Sequence, residues 1–182
     1  MLFRSARRIA VDAPHRLEAL ILMDTSHGPL EALDGDLLEM GAQIALTDGM
    51  GTLKEILDAG SPLDNPAYQR LLAERPGYQE FQDRKFAALH PVMWATMARA
   101  IRDQGDDLEQ LRALDVPVLV LVGEVDLPFL DHSRRMAEAI PDAVLVVVPE
   151  AGHSPQFEAP DAWAGAMAEF LADVAARADS AA

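Results

Sequence analysis

The chain has 182 residues, half of them apolar, with 11 glycines, 12 prolines and no cysteine; that is one globular domain's length and composition, and it excludes wholesale disorder. No apolar run approaches the roughly 18 residues of a membrane-spanning helix, and the lack of cysteine excludes a disulfide framework, a thiol nucleophile and thiolate metal sites. Thirty acidic against 15 basic residues leave a net charge of −15, a surface that repels nucleic acid and anionic lipid.

Basic charge is concentrated at the start, where Arg4, Arg7, Arg8 and Arg16 against Asp12 give residues 1–16 a net +3. An arginine-rich, acid-poor start is one mark of a transit peptide. Here Leu2, Ala6, Ile9 and Ala13 recur at helical spacing between the arginines, which predicts an amphipathic helix over 2–12 that Pro14 ends. There is no apolar segment of secretory type, so a cytoplasmic protein is expected. Leu20-Ile21-Leu22-Met23 then stops at Asp24-Thr25-Ser26. Its length and flanking turn residues predict a strand buried on both faces.

Residues 27–110 change texture. Helices are predicted at about 35–47, 51–59, 66–74, 78–88 and 91–103, broken by Gly49/Gly51, Gly60-Ser61-Pro62, Pro66, Pro76-Gly77 and Pro91. Tyr78, Phe81, Met93, Trp94 and Met97 fall among them. They read either as core-facing stripes or as the lining of an apolar ligand pocket.

The texture changes again at Val116-Pro117-Val118-Leu119-Val120-Leu121-Val122, which is followed by Gly123, and at Ala143–Val148, which ends at Pro149. Neither run alternates polar with apolar, the pattern of parallel strands covered on both faces. Met136, Ala137 and Ile140 mark a helix between them, giving a strand–helix–strand crossover. A last helix follows Pro160-Asp161 with Trp163, Met167, Phe170, Leu171 and Val174 on one face, and the tail from Ala175 is expected to fray. The class is therefore α/β with a helical insertion.

Functional groups in parallel α/β sheets gather beyond the carboxyl ends of the strands. Those ends carry Asp24, then Gly123-Glu124-Val125-Asp126, then Pro149-Glu150-Ala151-Gly152-His153. A carboxylate bonded to one imidazole nitrogen fixes the tautomer and stabilises the imidazolium, and the other nitrogen can act as general base. Asp126 and His153 fit as orienter and base, with Gly123 and Gly152 letting the loops turn. Taken singly, a Gly-His pair after a strand also reads as a turn, and Asp126 as the cap of the following helix. Asp24 reads as a turn cap, a displaced acid or a carboxylate nucleophile. His27 and His132 read as solvated loop residues and His90-Pro91 as a helix junction. No spacing of histidines and carboxylates suggests a metal.

VLVLVGEVD (118–126), followed by Pro128-Phe129, resembles the seventh strand and acid loop of the α/β-hydrolase family. VVVPEAGHSPQFEAPDAW resembles its eighth strand and histidine loop. RRIAVDAPHRLEALILMDTS resembles the helix after the nucleophile elbow and the sixth strand, and 27–110 resembles the cap inserted after that strand. The resemblance implies a partial parallel sheet of about three strands: residues 1–26 give a core helix and strand, 27–110 a helical cap, and 111–182 the core carrying the acid and histidine loops.

The family's triad runs Ser, Asp, His. Asp126 matches the acid and His153 the histidine, but the nucleophile has no match: Ser5, Ser26, Ser61, Ser133, Ser154 and Ser180 all lie outside a Gly-x-Ser-x-Gly motif, and Met1 falls where that motif would have ended. The chain is therefore expected to be a truncated, C-terminal portion, inactive alone, with the strand at 19–23 as an open edge exposing apolar side chains. The resemblance implies a small, mainly apolar substrate held between cap and core. Ester-like acyl transfer comes first, with lactones, epoxides, haloalkanes and β-diketone carbon–carbon bonds still open. No cofactor or metal is expected. The missing N-terminal portion or a second copy is the expected partner, with neither nucleic acid nor membrane involved. The competing readings are a non-catalytic binding module that uses the helical block as an apolar pocket, and one half of a complemented enzyme.

Overall fold

In chain order the elements are α1 (Leu2–Asp12), a 3-10 turn (Pro14–Arg16), β1 (Leu20–Met23), α2 (Gly35–Thr47), α3 (Gly49–Gly60), α4 (Pro66–Glu74), α5 (Tyr78–Ala87), α6 (Pro91–Arg102), α7 (Leu108–Leu111), β2 (Val118–Gly123), α8 (Leu127–Ala139), β3 (Ala143–Val148), α9 (Pro155–Glu158) and α10 (Pro160–Ala181). The computed structural model describes residues 2–30, 34–60 and 65–181. The chain forms two compact units, Met1–Gly28 with Asp106–Ala182, and Pro29–Gly105. No helix among the described residues is long and apolar enough to cross a membrane.

The first unit is built on one parallel sheet in the order β1-β2-β3. Leu20 aligns with Val118 and Leu22 with Val120, and strand side chains alternate between faces. Leu20, Leu22, Val118 and Val120 therefore meet Ala10, Leu111, Leu114, Met136 and Ile140 on one face. Met23, Leu119, Leu121 and Val148 meet Phe170, Trp163, Met167 and Val174 on the other. Each fully buried side chain of this size contributes roughly 1.5–3 kcal/mol. Trp163 also donates its indole N–H to the Met23 sulfur at 3.3 Å.

The continuous apolar runs became strands, as expected, but their covering differs. Every residue of β2 is buried. β3 has a strand on one side only, and its Val144 is largely exposed. β1 is an edge: Leu20, Leu22 and Met23 are buried under the helices, but Ile21 is only half-buried and, with the exposed Ile9 and Leu171, lines an open apolar groove, so the expected exposure holds in part.

In α1 the inward stripe contains Ala10 and Arg7, whereas Ile9 is exposed. Arg7 faces inward because its Nη1 donates to the Ser26 carbonyl at 2.5 Å and its Nε lies 3.2 Å from Asp107 Oδ2. The tail does not fray: α10 continues to Ala181. Arg177 pairs with Asp173 one turn back and with Asp142 across the unit, and alanine is the best helix former.

The second unit is helical. Ala42, Ala95 and Ala98 form a close seam between α2 and α6, with Trp94 against Gly41. Glu39 takes both Arg99 and Arg102 across that seam at 2.7 and 2.6 Å. Gly51 lies inside α3 and breaks nothing, while Gly49, at φ 88°, makes the turn between α2 and α3. Ser61 and Pro62 lie outside the described residues.

Candidate active site

The carboxyl ends of β2 and β3 run into two loops knitted by backbone. Glu124 N–H donates to the Val148 carbonyl and Val125 N–H to that of Ala151, both at 2.9 Å. Gly123 is required by this close approach: a Cβ there would come within 2.2 Å of the Gly152 carbonyl oxygen. In the histidine loop the left-handed turn falls on Glu150, at φ 55°. Its N–H is held by the Glu124 side chain at 2.9 Å.

These loops bring Asp126 and His153 together, with His153 Nδ1 2.9 Å from Asp126 Oδ2. Asp126 precedes α8 but its side chain does not cap that helix. A carboxylate can only accept, so Nδ1 carries the proton and Nε2 is left with its lone pair. Nε2 makes no hydrogen bond to a described residue. The Asp126 side chain is 6% exposed and that of His153 36%, so the acid is sequestered and the ring is within a ligand's reach. Burial opposes charge on His153, but the hydrogen bond and then the charge of Asp126 outweigh it and raise the imidazole above its usual pKa.

Two further residues fix the ring. Phe129, in the first turn of α8, lies against the imidazole with centroids 4.7 Å apart. Glu158 Oε2 accepts the N–H groups of Gly152 (2.7 Å) and Ser154 (3.0 Å), clasping the loop on both sides of His153. Sequence reasoning missed both roles. The motif HSPQFE hinted at the second, because an acid a few residues beyond a loop can reach back to free amides.

Asp24 is the third acid here. It is buried, sits at φ 42° beyond β1, and accepts the Gly123 N–H on Oδ1 at 3.1 Å. One oxygen each of Asp24 and Asp126 and one ring nitrogen of His153 lie within 4.8 Å of one another, the one such trio of metal-ligating type among the described residues. Burial, then the charge of Asp126, push Asp24 up to about 8. His153 Nδ1 and Asp126 Oδ2 are already bonded to each other and Asp24 Oδ1 to the Gly123 N–H, which makes the trio a poor fit for a metal ion.

The other sequence candidates fall elsewhere. His27 is not solvated: it is fully buried, bonds Asp106 Oδ1 through Nδ1 at 2.9 Å, and lies 4.6 Å from the half-buried His132 ring of α8. His90 does form a helix junction, accepting the Val92 N–H at 3.3 Å as the N-cap of α6. Ser133 is buried in α8, and Ser180 bonds the carbonyls of Ala176 and Arg177. Ser154 leads into α9, and Ser26 is buried. Ser61 and the Ser5 side chain lie outside the described residues. The five pocket candidates occupy two helices. On α5, Tyr78 is buried against the Tyr68 and Phe81 rings. On α6, Trp94 fills the α2–α6 seam, and Met93 and Met97 are half-buried.

A model of the alpha/beta hydrolase family matches residues 4–166. A thermophilic esterase structure from Thermogutta terrifontis superposes with a TM-score of 0.79 at 29% identity, covering 93% of this chain and 61% of the esterase. The enol-lactonase from Burkholderia xenovorans LB400 gives 0.77 at 24% identity, covering 92% and 61%. A Caulobacter sp. (strain K31) protein provisionally named carbamate hydrolase RutD is 40% identical over 75 residues, covering 41% of this chain and 27% of that protein. The chain thus spans about three fifths of these solved structures, and its match spans about a quarter of the curated relative.

Proposed function

The chain belongs to the alpha/beta hydrolase family, and from that premise we propose that it carries the acid and base of a hydrolase site acting on a small, mainly apolar ester-like substrate. The observation that carries this reading is the 2.9 Å bond between His153 Nδ1 and Asp126 Oδ2 at the ends of neighbouring parallel strands. Asp126 holds the ring in the tautomer that leaves Nε2 basic, and its charge stabilises the imidazolium once a proton arrives. His153 would take the proton from a hydroxyl nucleophile and return it to the leaving group. The Thermogutta esterase and the relative provisionally named a carbamate hydrolase support the acyl-transfer class.

Among the described residues no serine hydroxyl bonds the free side of the His153 ring. In this reading the nucleophile and the oxyanion donors come from outside these 182 residues, and the chain alone does not turn over. The test is hydrolysis of short-chain p-nitrophenyl esters by the chain alone and by the chain joined to the part of the Thermogutta esterase that its match leaves uncovered. Turnover only in the joined protein, abolished by His153→Ala, is expected. Turnover by the chain alone that survives His153→Ala would refute it.

A further inference from the structure

Asp24 has no part in the acid–base relay just described, yet it is buried beside that pair. We propose that Asp24 is a positioning residue of the Asp126–His153 pair, a neutral carboxylic acid that anchors the Gly123 turn and leaves Asp126 as the one carboxylate the imidazole senses. This deepens the hydrolase reading and rests on it.

The geometry carries the assignment. Two carboxyl groups this close and this buried cannot both ionise at neutral pH, so one keeps its proton. Asp126 Oδ2 is already taken as the acceptor of the His153 ring. Asp24 accepts one backbone N–H on Oδ1, while its buried Oδ2 has no donor. An ionised Oδ2 in that position would go unpaired, whereas a protonated one carries a donor of its own within the cluster. The charged groups facing Asp24 are Asp126, from the loop after β2, and His153, from the loop after β3, with the Gly123 N–H as a fixed dipole. Burial and the Asp126 charge push Asp24 in the same direction.

The backbone shows that the position is built rather than incidental. Asp24 adopts φ 42° at the end of β1, in the left-handed region that aspartate and asparagine tolerate better than other side chains. Its N–H continues the ladder to the Leu121 carbonyl at 3.0 Å, and its Oδ1 takes the next free amide, that of Gly123. One residue thus ties the end of β1 to the turn that delivers Asp126. The chemical consequence concerns base strength. A second carboxylate beside His153 would hold the imidazolium more tightly and leave less free base near neutral pH. A neutral Asp24 keeps the anchor without that charge.

The test is an NMR titration of the 182-residue chain that reads the Asp24 side-chain carboxyl carbon and the His153 ring nitrogens, with Asp24→Asn as the variant. Asparagine keeps the acceptor for Gly123 and accepts the positive φ. The expected result is an Asp24 midpoint near 8 and a second inflection of the His153 signals in the same range, which Asp24→Asn removes while leaving the first inflection in place. An Asp24 midpoint below about 5, the ordinary carboxyl range, would overturn the proposal, and so would a His153 curve that Asp24→Asn leaves unchanged. If the variant does not fold, the wild-type carboxyl midpoint decides alone. The titration needs no turnover, so an inactive joined protein would count against the hydrolase reading without touching this result, and a low Asp24 midpoint would do the reverse.

Discussion

Gly123 and Gly152 pass so close that a Cβ on the first would stand 2.2 Å from the carbonyl oxygen of the second. Both obstructing groups, this oxygen and the Ala151 carbonyl, are backbone, so no side-chain rotation relieves the clash. Gly123→Ala is expected to push the two loops apart, at a cost toward the upper end of the about 1–3 kcal/mol typical of overpacking. Because the contact lies between the loops that deliver Asp126 and His153, the substitution also breaks their hydrogen bond. Urea denaturation and the His153 ring-nitrogen shifts would both move. An unchanged midpoint with unchanged shifts would contradict the close approach.

Asp126→Asn tests the charge on the pair. The folded state raises the His153 pKa, so the folded protein binds that proton more tightly than the unfolded chain, whose histidine titrates near about 6.5. The stability this gives is fully present below about pH 6.5 and fades as the pH rises through the raised folded value. Removing the Asp126 charge is therefore expected to destabilise the protein more at about pH 5.5 than at about pH 9. Denaturation midpoints at the two pH values check this. An equal loss at both would mean that the imidazolium gains nothing from Asp126.

Glu158→Ala tests the clasp on the histidine loop. It leaves the Gly152 and Ser154 amides without their acceptor, and each hydrogen bond to a charged group is worth about 1.5–3 kcal/mol. The effect stays local because the neighbouring ladder from Val125 to Ala151 remains. Amide hydrogen exchange at Gly152 and Ser154 is expected to accelerate at least tenfold while β2 stays protected. Unchanged exchange at both amides would show that the loop holds its shape without Glu158.

What could be read from the sequence was whatever depends on continuous local pattern. The runs at 118–122 and 143–148 read as parallel strands because unbroken β-branched sequence has few other homes, and Asp126 and His153 were legible because each stands just past such a run. What stayed hidden depends on partners distant in sequence or on backbone geometry. His27 reads as solvated because its partner, Asp106, lies 79 positions away. The inward turn of Arg7 has no local signal, because only the folded chain brings Ser26 and Asp107 to it. Helices α7 and α9, at four residues each, are too short to show a period. Asp24 was legible at the same sheet edge as Asp126 and His153, but its bond to the Gly123 amide was not, because β1 and β2 pair across nearly a hundred residues.

The most direct test of the account is the pH dependence of kcat/KM for ester hydrolysis by the joined protein and its Asp126→Asn variant. If Asp126 orients and charges His153 as the base, kcat/KM rises through a pKa above the about 6.5 of free histidine, and Asp126→Asn cuts it by roughly 10⁴, the loss seen when a triad acid is neutralised. A variant that keeps the wild-type rate and pH profile would contradict the assignment of acid and base on which the proposed function stands.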